Sequence, residues 1–235
     1  MATRAWQRLD RVDTEEGSLE LRRRGDDFLI LVDGRVLMGS ASHRSELEVA
    51  VIACRPLGDR SGRAASRPRV LIGGLGMGFT LRAALDELPS DAEVTVAELT
   101  ARIVDWCRGP MASLTDHAVD DPRVRVHVAD VADVIARTPA HARWDAIVLD
   151  LYEGPYVATQ RPDDPLFGKA ALRRTIDALR PGGILSIWSE DREQAFERRL
   201  RSLGVDVRVE FSGRGGRRHA IYVAQRPLGP TSSRR

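Results

Sequence analysis

The chain has 235 residues, of which 43% are hydrophobic, enough for one sizeable buried core, and its net charge is only +2. All but Lys169 of its 36 basic residues are arginine, dispersed among 34 acids, and such dispersion argues against a nucleic-acid footprint. Cys54 and Cys107 belong to no CxxC or Cys/His cluster, the start lacks the apolar core of a secretory signal, and no stretch approaches the ~20 apolar residues that span a bilayer. A cytoplasmic protein without disulfides, zinc or membrane spans is expected.

Residues 1–44 are expected to form a small antiparallel β-appendage, from the runs SLELRR, DFLILVD and RVLMGS and the turn dipeptides Gly25-Asp26 and Asp33-Gly34. Residues 45–68 change to helical period, with Leu47, Val51, Ile52 and Cys54 to Leu57 as an apolar face, and run out in a Gly/Ser/Arg-rich linker from Gly58. From residue 69 strands and helices alternate: strands at 69–73, 93–98, 123–128 and 144–150, and helices at 79–88, 100–108 and 130–137. A long loop follows, then a helix at 168–179, the turn Arg180-Pro181-Gly182-Gly183, a strand at 184–189 and a helix at 191–203. VDVRVEF and HAIYVAQ flank the polar loop SGRGGRR as a closing antiparallel hairpin, and residues 226–235 are expected to be a disordered tail.

Alternation of this kind means a parallel sheet covered on both faces. Closed by a reversed hairpin at residue 225, it predicts an α/β, Rossmann-like seven-stranded fold of the S-adenosylmethionine-dependent methyltransferase type over residues 69–225. In such a sheet, ligands bind outside the carboxyl ends of the strands. Gly73, Gly74, Gly76 and Gly78 form a turn there that a ligand's backbone-close groups can approach, and Glu98, about 20 residues on, is placed to accept both hydroxyl protons of a ribose. The pair points to an adenosine derivative. Asp130, ending the third strand, either accepts from an adenine amino group or simply caps the next helix. Asp150 ends an apolar strand in VLDLYEGPY, followed by Tyr152 and Glu153; partly desolvated carboxylates there suit holding a cationic amine or taking its proton. The five histidines lack metal-ligand spacing, and the arginine-rich loop 214–218 reads as an exposed hairpin tip.

Over about residues 17–225 the chain resembles the spermidine synthase family of aminopropyltransferases, within the S-adenosylmethionine-dependent methyltransferase superfamily. The resemblance is carried, in order, by DGRVLMGS, SELEVAV, VLIGGLGMGFTLRAAL, VTVAEL, DDPRVRVHVADV, WDAIVLDLYEGP and LRPGGIL. It implies that Glu98 and Asp130 hold the nucleoside, that Asp150 stands in the place of the catalytic aspartate that deprotonates the attacking amine, and that Glu153 falls near a second acidic position. It also implies a homodimer.

Departures from the family pattern shape the expected reaction. The first loop of the family reads GGGDGG, its aspartate approaching the donor's aminopropyl amine; GGLGMGF has no acid and is one residue longer. Leaving an amine cation unpaired there costs several kcal/mol, on the order of a few pKa units, whereas intact S-adenosylmethionine brings its own carboxylate to backbone N–H groups. The glutamine expected after the DG turn is replaced by the region of Leu37 and Met38, and Glu46-Leu47 stand where Tyr-His precede the matching Glu48. The leading expectation is therefore methyl transfer from S-adenosylmethionine to a small amine-type acceptor held near Glu48, Asp150, Tyr152 and Glu153. The alternatives are aminopropyl transfer from decarboxylated S-adenosylmethionine to a polyamine, and a nucleoside-binding protein without turnover.

Overall fold

The computed structural model describes residues 5–14, 17–58, 67–152, 154–156, 161, 163–212 and 218–228. Two sheets organise them. The first is antiparallel, in the order β1 (Gln7–Thr14), β2 (Gly17–Arg24), β3 (Asp27–Val32), β4 (Arg35–Gly39). At its two-residue turn Asp33-Gly34 both residues take positive φ, 48° and 77°, the pairing that matches such a hairpin to strand twist. Period-2 burial puts Leu19, Leu21, Phe28 and Ile30 into the core. The β-like runs of the sequence begin at residue 17 and miss β1: QRLDRVDT is mostly polar because it is an edge strand that stays largely exposed.

Helix α1 (Arg44–Gly58) follows and buries Val49, Ala50, Ala53, Cys54 and Leu57. The second sheet then builds up through β5 (Arg69–Gly73), α2 (Phe79–Glu87), β6 (Glu93–Glu98), α3 (Ala101–Arg108), β7 (Val124–Val128), α4 (Val131–Ala136) and β8 (Trp144–Leu149). It is completed by α5 (Lys169–Ala178), β9 (Leu179–Ser189), α6 (Gln194–Arg201), β10 (Asp206–Ser212) and β11 (His219–Gln225). The strand order is β10-β11-β9-β8-β5-β6-β7; β11 runs antiparallel to both its neighbours, and the β5, β6, β7, β8 and β9 pairings are parallel. This is the expected α/β methyltransferase-type sheet, closed by a reversed hairpin.

Burial on both faces explains the near-continuous apolar runs. Val70 and Ile72 of β5 join the core on the side of α1, α2 and α3, while Leu71 joins the core on the side of α4, α5 and α6. Having laid β5, β6 and β7 to one side, the chain returns to put β8 on the other flank of β5. The carboxyl ends of β5 and β8 thus bound the point where strand order reverses, the place where open α/β sheets bind ligands.

Two local expectations need correction. Residues 180–183 are not a turn outside the sheet but part of β9, with a register shift against β8 between Trp144 and Ala146 absorbing the extra residues. The strand continues because Gly182 N–H donates to the Arg226 carbonyl at 3.0 Å and Arg226 N–H to the Gly183 carbonyl at 2.9 Å. Arg226, assigned to a disordered tail, therefore has a fixed place, and its guanidinium also donates to the carbonyls of Asp177 and Leu179 at the end of α5. The linker from 59 to 66, loop residues 213–217 and the tail from 229 lie outside the described residues. Among the described residues no helix is long and apolar enough to cross a membrane, and no group of three or more His, Cys, Asp or Glu is placed to hold a metal ion.

Candidate active site

The glycine turn leaves β5 at the switch point. Gly74, Gly76 and Gly78 have φ of +88°, +52° and +86°, and Gly78 is the residue from which α2 starts. The turn is pinned by four hydrogen bonds: Gly74 N–H to the Ala97 carbonyl (2.9 Å), Gly78 N–H to the Leu75 carbonyl (2.7 Å), Leu75 N–H to Glu98 Oε2 (2.8 Å) and Cys107 Sγ–H to the Gly76 carbonyl (3.3 Å). Met38 of β4 lies over Gly76 closely enough that a side chain there would meet its sulfur. Gly73 is enclosed differently, against Val131 and Leu149. Burial pushes the Cys54 and Cys107 thiols up to about 12, so neither is a ready nucleophile.

Glu98 closes β6 with 8% of its surface exposed. Its Oε1 accepts the Thr100 N–H at 2.9 Å while Oε2 holds Leu75, so one carboxylate fixes both the turn and the start of α3. A carboxylate has acceptor sites for about four donors, which leaves these two bonds compatible with a ribose diol. Next to it, Leu99 is 53% exposed despite being large and apolar, which suits the face of a planar base. Asp130 is exposed at the end of β7 and caps α4, Oδ1 accepting the Ala132 N–H at 2.8 Å.

Asp150 follows β8, its N–H donating to the Gly73 carbonyl at 2.9 Å. Burial pushes its carboxyl up to about 7; a hydrogen bond from the Thr80 hydroxyl to Oδ2 opposes that, and the Glu46 carboxylate adds to it. A carboxyl poised near neutrality is suited to exchange a proton at working pH. Thr80, the second residue of α2, is only 2% exposed, and its Oγ1 also lies 3.2 Å from the Glu46 carbonyl oxygen. The His43 ring stacks on Phe79, centroids 4.0 Å apart and planes 12° apart, which joins the start of α1 to the start of α2.

The structure thus brings Gly73, Gly74, Gly76, Gly78, Glu98 and Asp150 together, with Asp130 at the edge of the same sheet end. Tyr152 lies just past Asp150 and is 45% exposed; Glu153 lies outside the described residues. Glu48 is not brought in: it pairs with Arg44 at 3.5 Å on the outward side of α1. At about 100° per residue Glu46 falls within about 40° of Ala50, Ala53 and Leu57 on the buried stripe, whereas Glu48 is about 200° round from Glu46. That periodicity is the signal that would have identified Glu46. Thr80 could have been noticed as a lone hydroxyl in the apolar start FTL. Beyond Asp150, Pro155, Tyr156, Ser189, Glu190, Asp191 and Glu193 line a small acidic cleft. Ser189 Oγ–H donates to the Asp191 carbonyl at 2.7 Å, so the Ser189–Asp191 segment closes on itself and α6 starts only at Gln194.

Comparison with known proteins gives a consistent neighbourhood. The spermine/spermidine synthase domain model matches residues 59–200. The polyamine aminopropyltransferase of Mycobacterium tuberculosis is 26% identical over 171 residues, 70% of this chain and 29% of that protein. The chain spans about a third of the length of the curated relatives it matches. Among solved structures, a spermidine synthase in complex with the transition-state analogue AdoDATO aligns with TM-score 0.72 and 17% identity, over 96% of this chain and 74% of that one. A Klebsiella pneumoniae chain described as an O-methyltransferase aligns with TM-score 0.50 and 15% identity, over 77% and 90%. Likenesses at such identities establish the shared fold.

Proposed function

Because the chain belongs to the spermine/spermidine synthase domain family, we propose that it transfers an aminopropyl group from decarboxylated S-adenosylmethionine to a di- or polyamine. The observation that carries this reading is Asp150 at the switch point, hydrogen-bonded by the Thr80 hydroxyl that also lies 3.2 Å from the Glu46 carbonyl, with the Glu46 carboxylate close enough to raise its pKa: acidic groups from different elements where a cationic amine must be received. The glycine turn lacks the acid that an aminopropyl donor's amine would need, and Glu46 is a substitute for it from α1. Among known proteins, the leading expectation from sequence, methyl transfer, has support only through the shared fold.

In this mechanism the residues bind, orient and move one proton. Glu98 accepts the ribose hydroxyls, Leu99 covers the base, and Asp130 accepts from the adenine amino group with the oxygen that does not cap α4. The donor supplies a carbon activated by its sulfonium. Asp150 takes a proton from the acceptor's ammonium group, freeing the nitrogen lone pair. That nitrogen bonds to the activated carbon as the carbon–sulfur bond breaks, its electron pair going to sulfur, and neutral methylthioadenosine departs. Catalysis is chiefly alignment of nitrogen, carbon and sulfur. The acidic cleft of Glu190, Asp191 and Glu193 is suited to the far cation of a longer amine.

Methyl transfer from intact S-adenosylmethionine is the second reading, favoured by the absence of an acid from the glycine turn. Calorimetric titration with both donors separates the two. Tighter binding of the decarboxylated donor is expected, and a tenfold preference for the intact one overturns the aminopropyl reading.

A further inference from the structure

Thr80 stands between two acceptors with one proton to give. Its hydroxyl is buried, hydrogen-bonded to Asp150 Oδ2 on one side and 3.2 Å from the Glu46 carbonyl on the other. When Asp150 is ionised, the hydroxyl's best partner is the carboxylate, since a charge-assisted hydrogen bond is roughly twice as strong as a neutral one. When Asp150 is protonated, its own O–H needs an acceptor. The Thr80 oxygen can provide that only if the Thr80 proton turns away, and the Glu46 carbonyl, whose oxygen has two lone pairs, is there to accept it. Both states are then satisfied with no buried donor orphaned and no carboxyl rotation.

We infer that Thr80 is a positioning residue that swings one hydrogen bond between Asp150 and the first turn of α1, so that Asp150 gains and loses the acceptor's proton in place. The inference rests on the reading of Asp150 as base, and the swing moves no covalent bond of Thr80 itself. The charge acting on Asp150 among the described residues is the Glu46 carboxylate. α2 contributes the uncharged hydroxyl, the glycine turn contributes backbone, and β9 places the uncharged Trp188 next in register after the Leu149–Ile187 pair. The stack of His43 on Phe79 keeps the two helix starts at the separation the swing requires.

The test is the carboxyl carbon resonance of Asp150, titrated by NMR in the full chain carrying Thr80→Val and Thr80→Ser. Valine removes the donor that stabilises the ionised form, so the midpoint should rise by about one pH unit, and serine should restore it. In the amine reaction, Thr80→Val should shift the acid limb of the kcat/KM profile upward by the same amount and lower kcat about tenfold, leaving the KM for the donor unchanged. Should the valine variant not fold, Thr80→Ala removes the hydroxyl without added bulk and is titrated instead. A midpoint that does not move in Thr80→Val or Thr80→Ala overturns the inference, as does a serine variant that behaves like valine. The titration is independent of turnover: a midpoint that moves in a protein inactive toward amines sustains the swing and removes the aminopropyl reading.

Discussion

The carbonyl oxygen of Asp150 occupies the space that a side chain on Gly74 would need, and the Asp150 N–H is held by the neighbouring Gly73 carbonyl at 2.9 Å. The glycine turn and Asp150, the proposed base, are therefore one unit. Neither can shift without carrying the other, which couples the place where a donor's tail would lie to the group proposed to receive the acceptor.

Gly74→Ala tests that unit. At φ +88° a Cβ is strained, and here it also meets backbone that cannot rotate away. We expect a loss on the order of 2–4 kcal/mol, a fall in Tm of roughly 5–10 °C. Gly34→Ala has a similar φ of +77° but nothing within 4 Å, so it should cost only about 1 kcal/mol. Equal losses in the two variants would show that the close approach has no energetic weight.

Glu98→Ala removes the acceptor for two backbone N–H groups as well as the site proposed for the ribose. Stability should fall by about 1–3 kcal/mol and affinity for adenosyl thioethers by tenfold or more, measured by chemical unfolding and calorimetry. Glu98→Gln, which keeps one oxygen acceptor, should retain more of the stability than of the affinity. Undiminished adenosyl affinity in Glu98→Ala would remove this residue from the nucleoside site.

Asp150 gives a pH signature with a definite sign. Burial pushes its carboxyl up to about 7 in the folded protein, above the 3.8 of an ordinary aspartate, so the folded state binds the proton more tightly. Stability should therefore decline as pH rises from about 4 to about 7, by at most roughly 1.4 kcal/mol per pH unit, and then level off. Asp150→Asn has no charge to bury and should be more stable than the parent at pH 8, by up to a few kcal/mol, with the advantage gone by about pH 4. Unfolding curves across that range check it, and a pH-independent difference would contradict it.

Glu46 and Glu48 differ by two positions and should differ in every readout. Glu46→Gln removes the charge that raises Asp150 and should lower its titration midpoint, the opposite direction from loss of the Thr80 hydroxyl. It should also weaken cationic amine binding about tenfold. Glu48→Gln loses only an exposed pair with Arg44, about 0.5 kcal/mol or less, and should leave the midpoint and amine binding unchanged. Calorimetry with a diamine distinguishes them, and a stronger effect from Glu48→Gln would reverse the assignment.

Much of this was legible in the sequence where one physical signal dominated. Continuous apolar runs such as Val70 to Ile72 and Ala146 to Leu149, rich in β-branched residues and alternating with helical patterns, read as parallel strands covered on both faces. Glycines at 74, 76 and 78 followed by Glu98 marked the switch point for the same reason. β1 was not legible because an exposed edge strand needs no apolar face, and β9 was cut short because Pro181 and Gly182 read as a turn when Arg226, far along the chain, keeps them in the sheet. The site was half-read. Asp150 is visible as a carboxylate ending an apolar strand, but its partners come from α1 and α2: helical period separates Glu46 from Glu48, while only the packing of those helix starts against each other gives Thr80 a task.

The most direct test is turnover with the decarboxylated and intact forms of S-adenosylmethionine in parallel, each with a mixture of diamines and polyamines, the products resolved by mass spectrometry. The account predicts methylthioadenosine and an aminopropylated amine from the decarboxylated donor, both lost in Asp150→Asn. S-adenosylhomocysteine from the intact donor, with no methylthioadenosine from the decarboxylated one, would contradict it.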